Sequence, residues 1–182
     1  MLRKLTTFMM LPLVAMFLMI SCGGESQSEN NIDDATTPEV AETPAVESEF
    51  LFTAYDVYGK VRNSSEWVGK QPVVINFWGT WCPPCRREIP DLVRVYNELQ
   101  SQGIEMIGLA VNDTPEKVTK FAEANGMNWV MLMGDRNLGI RYKITGVPTT
   151  IFIGRDGKEL GRFVGPRDYD TFKEAFLLAL QT

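Results

Sequence analysis

The chain has 182 residues, 45% of them hydrophobic, with 18 basic against 23 acidic side chains, three cysteines and no histidine. That length and apolar content suit one folded domain with accessory segments rather than a wholly disordered chain. The net charge of -5 gives no footing for a nucleic-acid partner, and the lack of histidine excludes a Cys–His nucleophilic dyad within this chain.

At the N-terminus, Arg3 and Lys4 precede an apolar run from Leu5 to Ile20, interrupted by Thr6, Thr7 and Pro12. A charged start followed by an apolar run reads as an export signal. The run falls short of the roughly 20 clean apolar residues that span a bilayer. It ends at Met19-Ile20-Ser21-Cys22, which resembles a bacterial lipobox with Met in place of the usual Leu. The resemblance implies cleavage after residue 21 and acylation of Cys22, so residues 1–21 are expected to be a lipoprotein signal peptide. An ordinary signal peptide or an uncleaved signal anchor is the alternative. Acylation also removes a thiol that an exported chain would otherwise risk mispairing.

Residues 22–49 are expected to be an acidic, disordered tether, because Ser, Asn, Thr, Pro and Glu dominate and no Lys or Arg occurs. As a flexible coil it would span roughly 30 Å. Its acids, from Glu25 to Glu49, account for the net charge and leave residues 50–182 close to neutral. Those residues form the expected folded domain. A hairpin over Phe50–Arg62 turns at Tyr58-Gly59-Lys60. Pro72–Trp78 is β-branched, aromatic and mostly apolar, as a strand covered on both faces should be. A helix follows over Pro83–Gln100, with Leu92, Val95, Tyr96 and Leu99 at helical spacing and Pro90 expected to kink it.

Ile104–Val111 is a second buried strand. Thr114-Pro115-Glu116 opens a helix with a hydroxyl cap, a proline and an acid, and Gly126 ends it. A short strand near Trp129–Leu132 and a brief helix near Asn137–Tyr142 come next. Thr149–Ile153 and Leu160–Val164 pair across Asp156-Gly157 as a hairpin. Asp168–Leu180 is the last helix. The pattern is α/β: a mixed central sheet with helices on both faces and an N-terminal hairpin extension.

Trp81-Cys82-Pro83-Pro84-Cys85 places two thiols one helical turn apart where a strand gives way to a helix. A disulfide there can close and reopen. The helix N-terminus has unpaired N–H groups and partial positive charge, which favour a thiolate at Cys82. Cys82 is therefore expected to be the exposed nucleophile and Cys85 the deeper, resolving thiol, with Arg86 and Arg87 adding positive charge nearby. An inert staple is the bland alternative, but so short a loop constrains little of the unfolded chain. A half-site for zinc or copper is another; tetrahedral zinc needs four ligands, and no histidine or second cysteine pair is present. No metal and no cofactor are expected.

The stretch from Phe77 to Pro90 (FWGTWCPPCRREIP) resembles the active-site segment of the TlpA/ResA group of membrane-tethered, thioredoxin-like thiol-disulfide oxidoreductases. Gly146-Val147-Pro148-Thr149-Thr150 resembles that family's cis-proline loop. The resemblance extends over residues 50–182 and implies a thioredoxin fold. It also implies a cis Pro148 beside the dithiol, and a loop at Val147 and Pro148 whose backbone pairs with an incoming peptide. Glu88 matches an acid that lies near the dithiol in the family and tunes its protonation. A carboxylate near Cys85 raises the thiol pKa by like-charge repulsion or carries its proton. An exposed helix glutamate is the alternative for Glu88. Trp81 is expected to shield the disulfide and contact substrate.

The implied function is reduction of protein disulfides outside the cytoplasm, with apocytochrome c as one substrate the family serves. Electrons would come from a membrane dithiol carrier, and the domain would sit on a lipid anchor facing the periplasm or the cell exterior. A disulfide oxidase or thiol peroxidase remains open, as does a lipid-anchored binding module that uses the scaffold without turnover.

Overall fold

The computed structural model describes residues 48–182. The expected signal peptide 1–21, the acylation site Cys22 and the tether 22–49, save Ser48 and Glu49, lie outside the described residues. Ser48 already belongs to the packed chain: its hydroxyl donates to Gly157 O at 2.5 Å and accepts from Phe50 N–H at 3.1 Å.

The centre of the fold is β3 (Val73–Trp78), in which all six residues are buried. The strand period of two sends Val74 and Trp78 to one face and Val73, Ile75 and Phe77 to the other. Only a strand covered on both sides can afford such a sequence. β4 (Glu105–Val111) and β5 (Val130–Gly134) follow in parallel, reached through α1 (Pro83–Leu99) and α2 (Pro115–Asn125). On the other side of β3 lie β6 (Thr149–Ile153) and then β7 (Glu159–Val164), both antiparallel to their neighbours. The N-terminal hairpin, β1 (Thr53–Asp56) and β2 (Val61–Asn63), adds antiparallel to β5. The seven strands run β2-β1-β5-β4-β3-β6-β7.

The short helix α3 (Arg136–Arg141) and the last helix α4 (Tyr169–Leu180) complete the elements. α1, α2 and α4 cover one face through Leu92, Val118 and Phe172 among others. Among the described residues the opposite face carries one α-helix, α3, and much of the rest of its cover is N-terminal chain: Phe50, Phe52, Trp67 and Val68. Phe50 stacks on Tyr142 at 5.1 Å, and the buried Ser64 hydroxyl bridges Phe50 O and Phe52 N–H. The hairpin segment is therefore a lid on this core as well as an edge extension.

Local signals act as expected at the helix ends. Thr114 caps α2, and Gly126 closes it in the left-handed region at φ 67°, which costs a glycine least. α1 runs unbroken through Pro90. Among the described residues no helix is long and apolar enough to cross a membrane.

One packing point is tight enough to test. Gly108 sits on the α1 side of β4, and a Cβ there would meet Met131 Sδ at 2.8 Å and the Nε1 atoms of Trp78 and Trp129 at 3.0 Å each. Both indoles are buried and pack directly over the glycine. Gly108→Ala is expected to lower stability by about 1–3 kcal/mol through overpacking. Urea denaturation should show a lower midpoint with an unchanged slope.

Candidate active site

Cys82 and Cys85 form a disulfide at the N-terminus of the 17-residue α1, with Cα atoms 5.3 Å apart. The sequence explains the placement. β3 ends at Trp78, and Gly79, Thr80 and Trp81 turn the chain. Pro83 and Pro84 start the helix without N–H groups to leave unpaired. The first free amide of the helix is that of Cys85, and it donates to Cys82 Sγ at 3.2 Å. Cys82 is thus the helix N-cap, a position where sulfur receives both a hydrogen bond and the positive end of the helix dipole.

The expectation of an exposed Cys82 needs correction. The residue is only 2% exposed, and Cys85 is fully buried. The loop before β6 closes beside it, with Val147 O 3.7 Å from Cys82 Sγ. The Val147–Pro148 bond is cis. Arg86 and Arg87 are exposed, and the Arg86 guanidinium lies 6.0 Å from the Phe121 ring on α2.

Trp81 is half-exposed at 52%. Its indole folds back over Gly79 and donates to Val111 O at 2.9 Å. The preceding residue is tied to the same loop, since Thr80 N–H donates to Asp113 Oδ2 at 2.7 Å. The turn that presents the disulfide is therefore pinned to the end of β4 at two points.

Glu88 is one helical turn beyond Cys85 and 2% exposed, so it is not the exposed helix glutamate of the alternative reading. Its Oε1 accepts from Asn76 Nδ2 at 3.1 Å, and Asn76 also donates to Thr150 Oγ1 at 2.9 Å. Its Oε2 has no hydrogen-bond partner among the described residues. Burial pushes the Glu88 pKa up to about 7, against the opposing pull of the Asn76 amide and of Arg167. This is a buried carboxyl that changes protonation near neutrality.

Asn76 and Thr150 are the partners that the sequence reading missed. Asn76 is the one polar residue in an apolar strand, and period two places it on the side of β3 that carries Trp78, toward α1. Thr150 lies directly across from it in the β3–β6 register. The sequence therefore held a signal for Asn76, whereas Thr150 needed the strand order. Among the described residues no group of three or more His, Cys, Asp or Glu side chains is placed to hold a metal.

A disulfide capping the helix after a central parallel strand, faced by a cis-prolyl loop on the antiparallel neighbour, defines a thioredoxin-fold protein with a CxxC centre. The chain belongs to the AhpC/TSA family, whose model matches residues 45–158. It is similar to the thiol-disulfide oxidoreductase ResA of Bacillus subtilis, with 37% identity over 108 residues. That match covers 59% of this chain and 60% of the relative, so the chain spans less than two thirds of that protein's length. The thiol:disulfide interchange protein HelX of Rhodobacter capsulatus is 31% identical over 171 residues, 89% of each chain. Among solved structures, a thiol:disulfide interchange protein of the thioredoxin family from Chlorobium tepidum superposes with a TM-score of 0.65. It is 34% identical, and the match covers 71% of this chain and 93% of that one.

Proposed function

We propose that this chain is a protein thiol–disulfide oxidoreductase whose Cys82–Cys85 pair cycles between disulfide and dithiol. The observation that carries the reading is the closed pair at the α1 N-terminus, with Cys82 Sγ accepting the Cys85 amide beside Val147 O. In the reducing direction the Cys82 thiolate attacks one sulfur of a substrate disulfide. That S–S bond breaks, and the departing substrate sulfur leaves as a thiolate that takes up a proton. Cys85 then gives up its proton and attacks Cys82 Sγ. The mixed disulfide breaks, and the second substrate thiol is released. Two electrons and two protons pass to substrate, and an external dithiol must restore the reduced pair. In this reading Glu88 takes the Cys85 proton; it lies one turn further along the buried face of α1 with one oxygen unengaged among the described residues, which supports the role.

Trp81, Val147 and Pro148 contact the substrate segment in this reading. The cis-prolyl loop lies beside the attacking sulfur, with Val147 O 3.7 Å from Cys82 Sγ. We further propose that the domain works outside the cytoplasm on a lipid anchor at Cys22, behind a cleaved signal at 1–21 and a tether at 22–49. Its substrates are disulfide-bonded proteins, apocytochrome c among them, and a membrane dithiol carrier is the donor. The names of the ResA and HelX relatives support the thiol–disulfide chemistry.

An insulin-reduction assay tests the chemistry. With dithiothreitol as donor the protein should bring forward insulin B-chain precipitation at catalytic concentration. Precipitation no faster than with dithiothreitol alone would leave a binding module. A redox titration against glutathione then sets direction: a potential toward the reducing end of the thioredoxin-fold range, which spans about -270 to -120 mV, is expected of a reductase.

A further inference from the structure

We propose that the groove beside Trp81, where the oxidoreductase reading already seats the substrate, discriminates among substrates by the chemistry of their side chains. It takes an extended segment flanking the target disulfide that carries one large apolar side chain and one carboxylate. The inference rests on the oxidoreductase reading and adds to it the chemistry of the partner.

The groove encloses about 560 Å³ between Trp81, the end of β4, and α3 with the loop that follows it. It reaches Val147, whose carbonyl oxygen is 3.7 Å from Cys82 Sγ, so a chain lying in it passes the reactive sulfur. Its walls include Trp81 and Ile140, which are 52% and 65% exposed. Large apolar side chains left in water at one concave site mark a place where a partner is bound.

Charge completes the pattern. Arg136 and Lys143 line the groove, both exposed, and neither pairs with a carboxylate among the described residues. Asp135 is the acid in the lining, and its Oδ1 is engaged in capping α3 by accepting from Leu138 N–H at 2.8 Å. The groove therefore offers two unpaired cations beside an apolar wall. The backbone points the same way. Among the described residues the two non-glycine positions at positive φ, Asn112 at 51° and Lys143 at 55°, both line this groove. Each is a left-handed position held by a side chain rather than by glycine, a kind of strain that clusters at ligand sites.

The test uses the full-length reduced protein and two disulfide-bridged peptides. Both carry Leu beside the reactive cysteine; one carries Glu and the other Lys at the neighbouring positions. The second-order rate of enzyme oxidation is followed for each. The Glu peptide should react about 3- to 10-fold faster than the Lys peptide at low ionic strength, and the ratio should fall toward unity at high salt. The double variant Arg136→Glu/Lys143→Glu should reverse the preference, an outcome that general loss of folding cannot mimic. Ile140→Ser should slow the Leu peptides and leave a Ser-for-Leu peptide less affected. Equal rates for the two peptides, or the same ratio in wild type and double variant, would overturn the subsite. Hydroxyethyl disulfide, small and uncharged, separates this from the underlying reading. If the wild type reduces it no faster than Cys82→Ser does, the oxidoreductase assignment itself fails.

Discussion

Serine at position 82 is expected to bring insulin reduction down to the dithiothreitol background, while alanine at position 85 stops the reaction one step later. A hydroxyl does not ionise near neutrality, so the Cys82→Ser protein has no attacking group even though helix α1 and its dipole are intact. Cys85→Ala keeps the attacker and removes the resolver. Substrate should then accumulate as a mixed disulfide on Cys82, visible as an added mass that a reductant removes. The pair of outcomes is directional: the reverse assignment would trap substrate on Cys85 in the position-82 variant. Loss of the cross-link should cost only about 2 kcal/mol or less, because it closes so small a loop. Circular dichroism of both variants should stay native, so loss of activity reports chemistry rather than unfolding.

Glu88→Gln is expected to change how both stability and turnover depend on pH. In the folded oxidised protein burial holds the carboxyl pKa at about 7, against an ordinary value of 4.5. The folded state therefore binds more protons than the unfolded state between those limits. Stability is full below pH 4.5, falls as pH rises through about 7, and levels off above it. Such a shift corresponds to about 3 kcal/mol for a buried group. Glutamine keeps the acceptor that Asn76 donates to and carries no charge, so the variant should lose this slope and be the more stable protein at alkaline pH. Its turnover should suffer at the resolving step, by roughly 10- to 100-fold, since the group proposed to take the Cys85 proton is gone. Urea titrations across pH and the pH–rate profile of insulin reduction measure the two effects. Parallel pH profiles for wild type and Glu88→Gln would remove Glu88 from the account.

Much of this was legible in the sequence wherever a local signal decides structure. The two prolines after Cys82 fix the start of α1, Thr114-Pro115 and Gly126 bound α2, and Asp156-Gly157 turns the β6–β7 hairpin. What was not legible depends on segments far apart in the chain. The Asn76–Glu88–Thr150 cluster joins β3, α1 and β6, and only the strand order brings Thr150 opposite Asn76. The groove gathers Trp81, the end of β4 and the residues around α3, which no periodicity connects. The exposure of Cys82 was misread because a helix cap suggests an open end, whereas the loop at Val147 closes that end in three dimensions. The second face of the sheet carries α3, as helices on both faces require, but much of its cover is Phe50, Phe52 and Trp67, whose sequence alone reads as hairpin and loop.

Alkylation of the reduced full-length protein by iodoacetamide, timed across pH and mapped by mass spectrometry, bears most directly on the central claim. Reduction opens the Cys82–Cys85 bond and leaves Cys82 at the helix cap. The expected result is modification of Cys82 well ahead of Cys85, with a rate midpoint below that of an ordinary thiol near pH 8.5. A natively folded, reduced protein in which Cys82 stays unmodified at neutral pH, or reacts no earlier than Cys85, would contradict it.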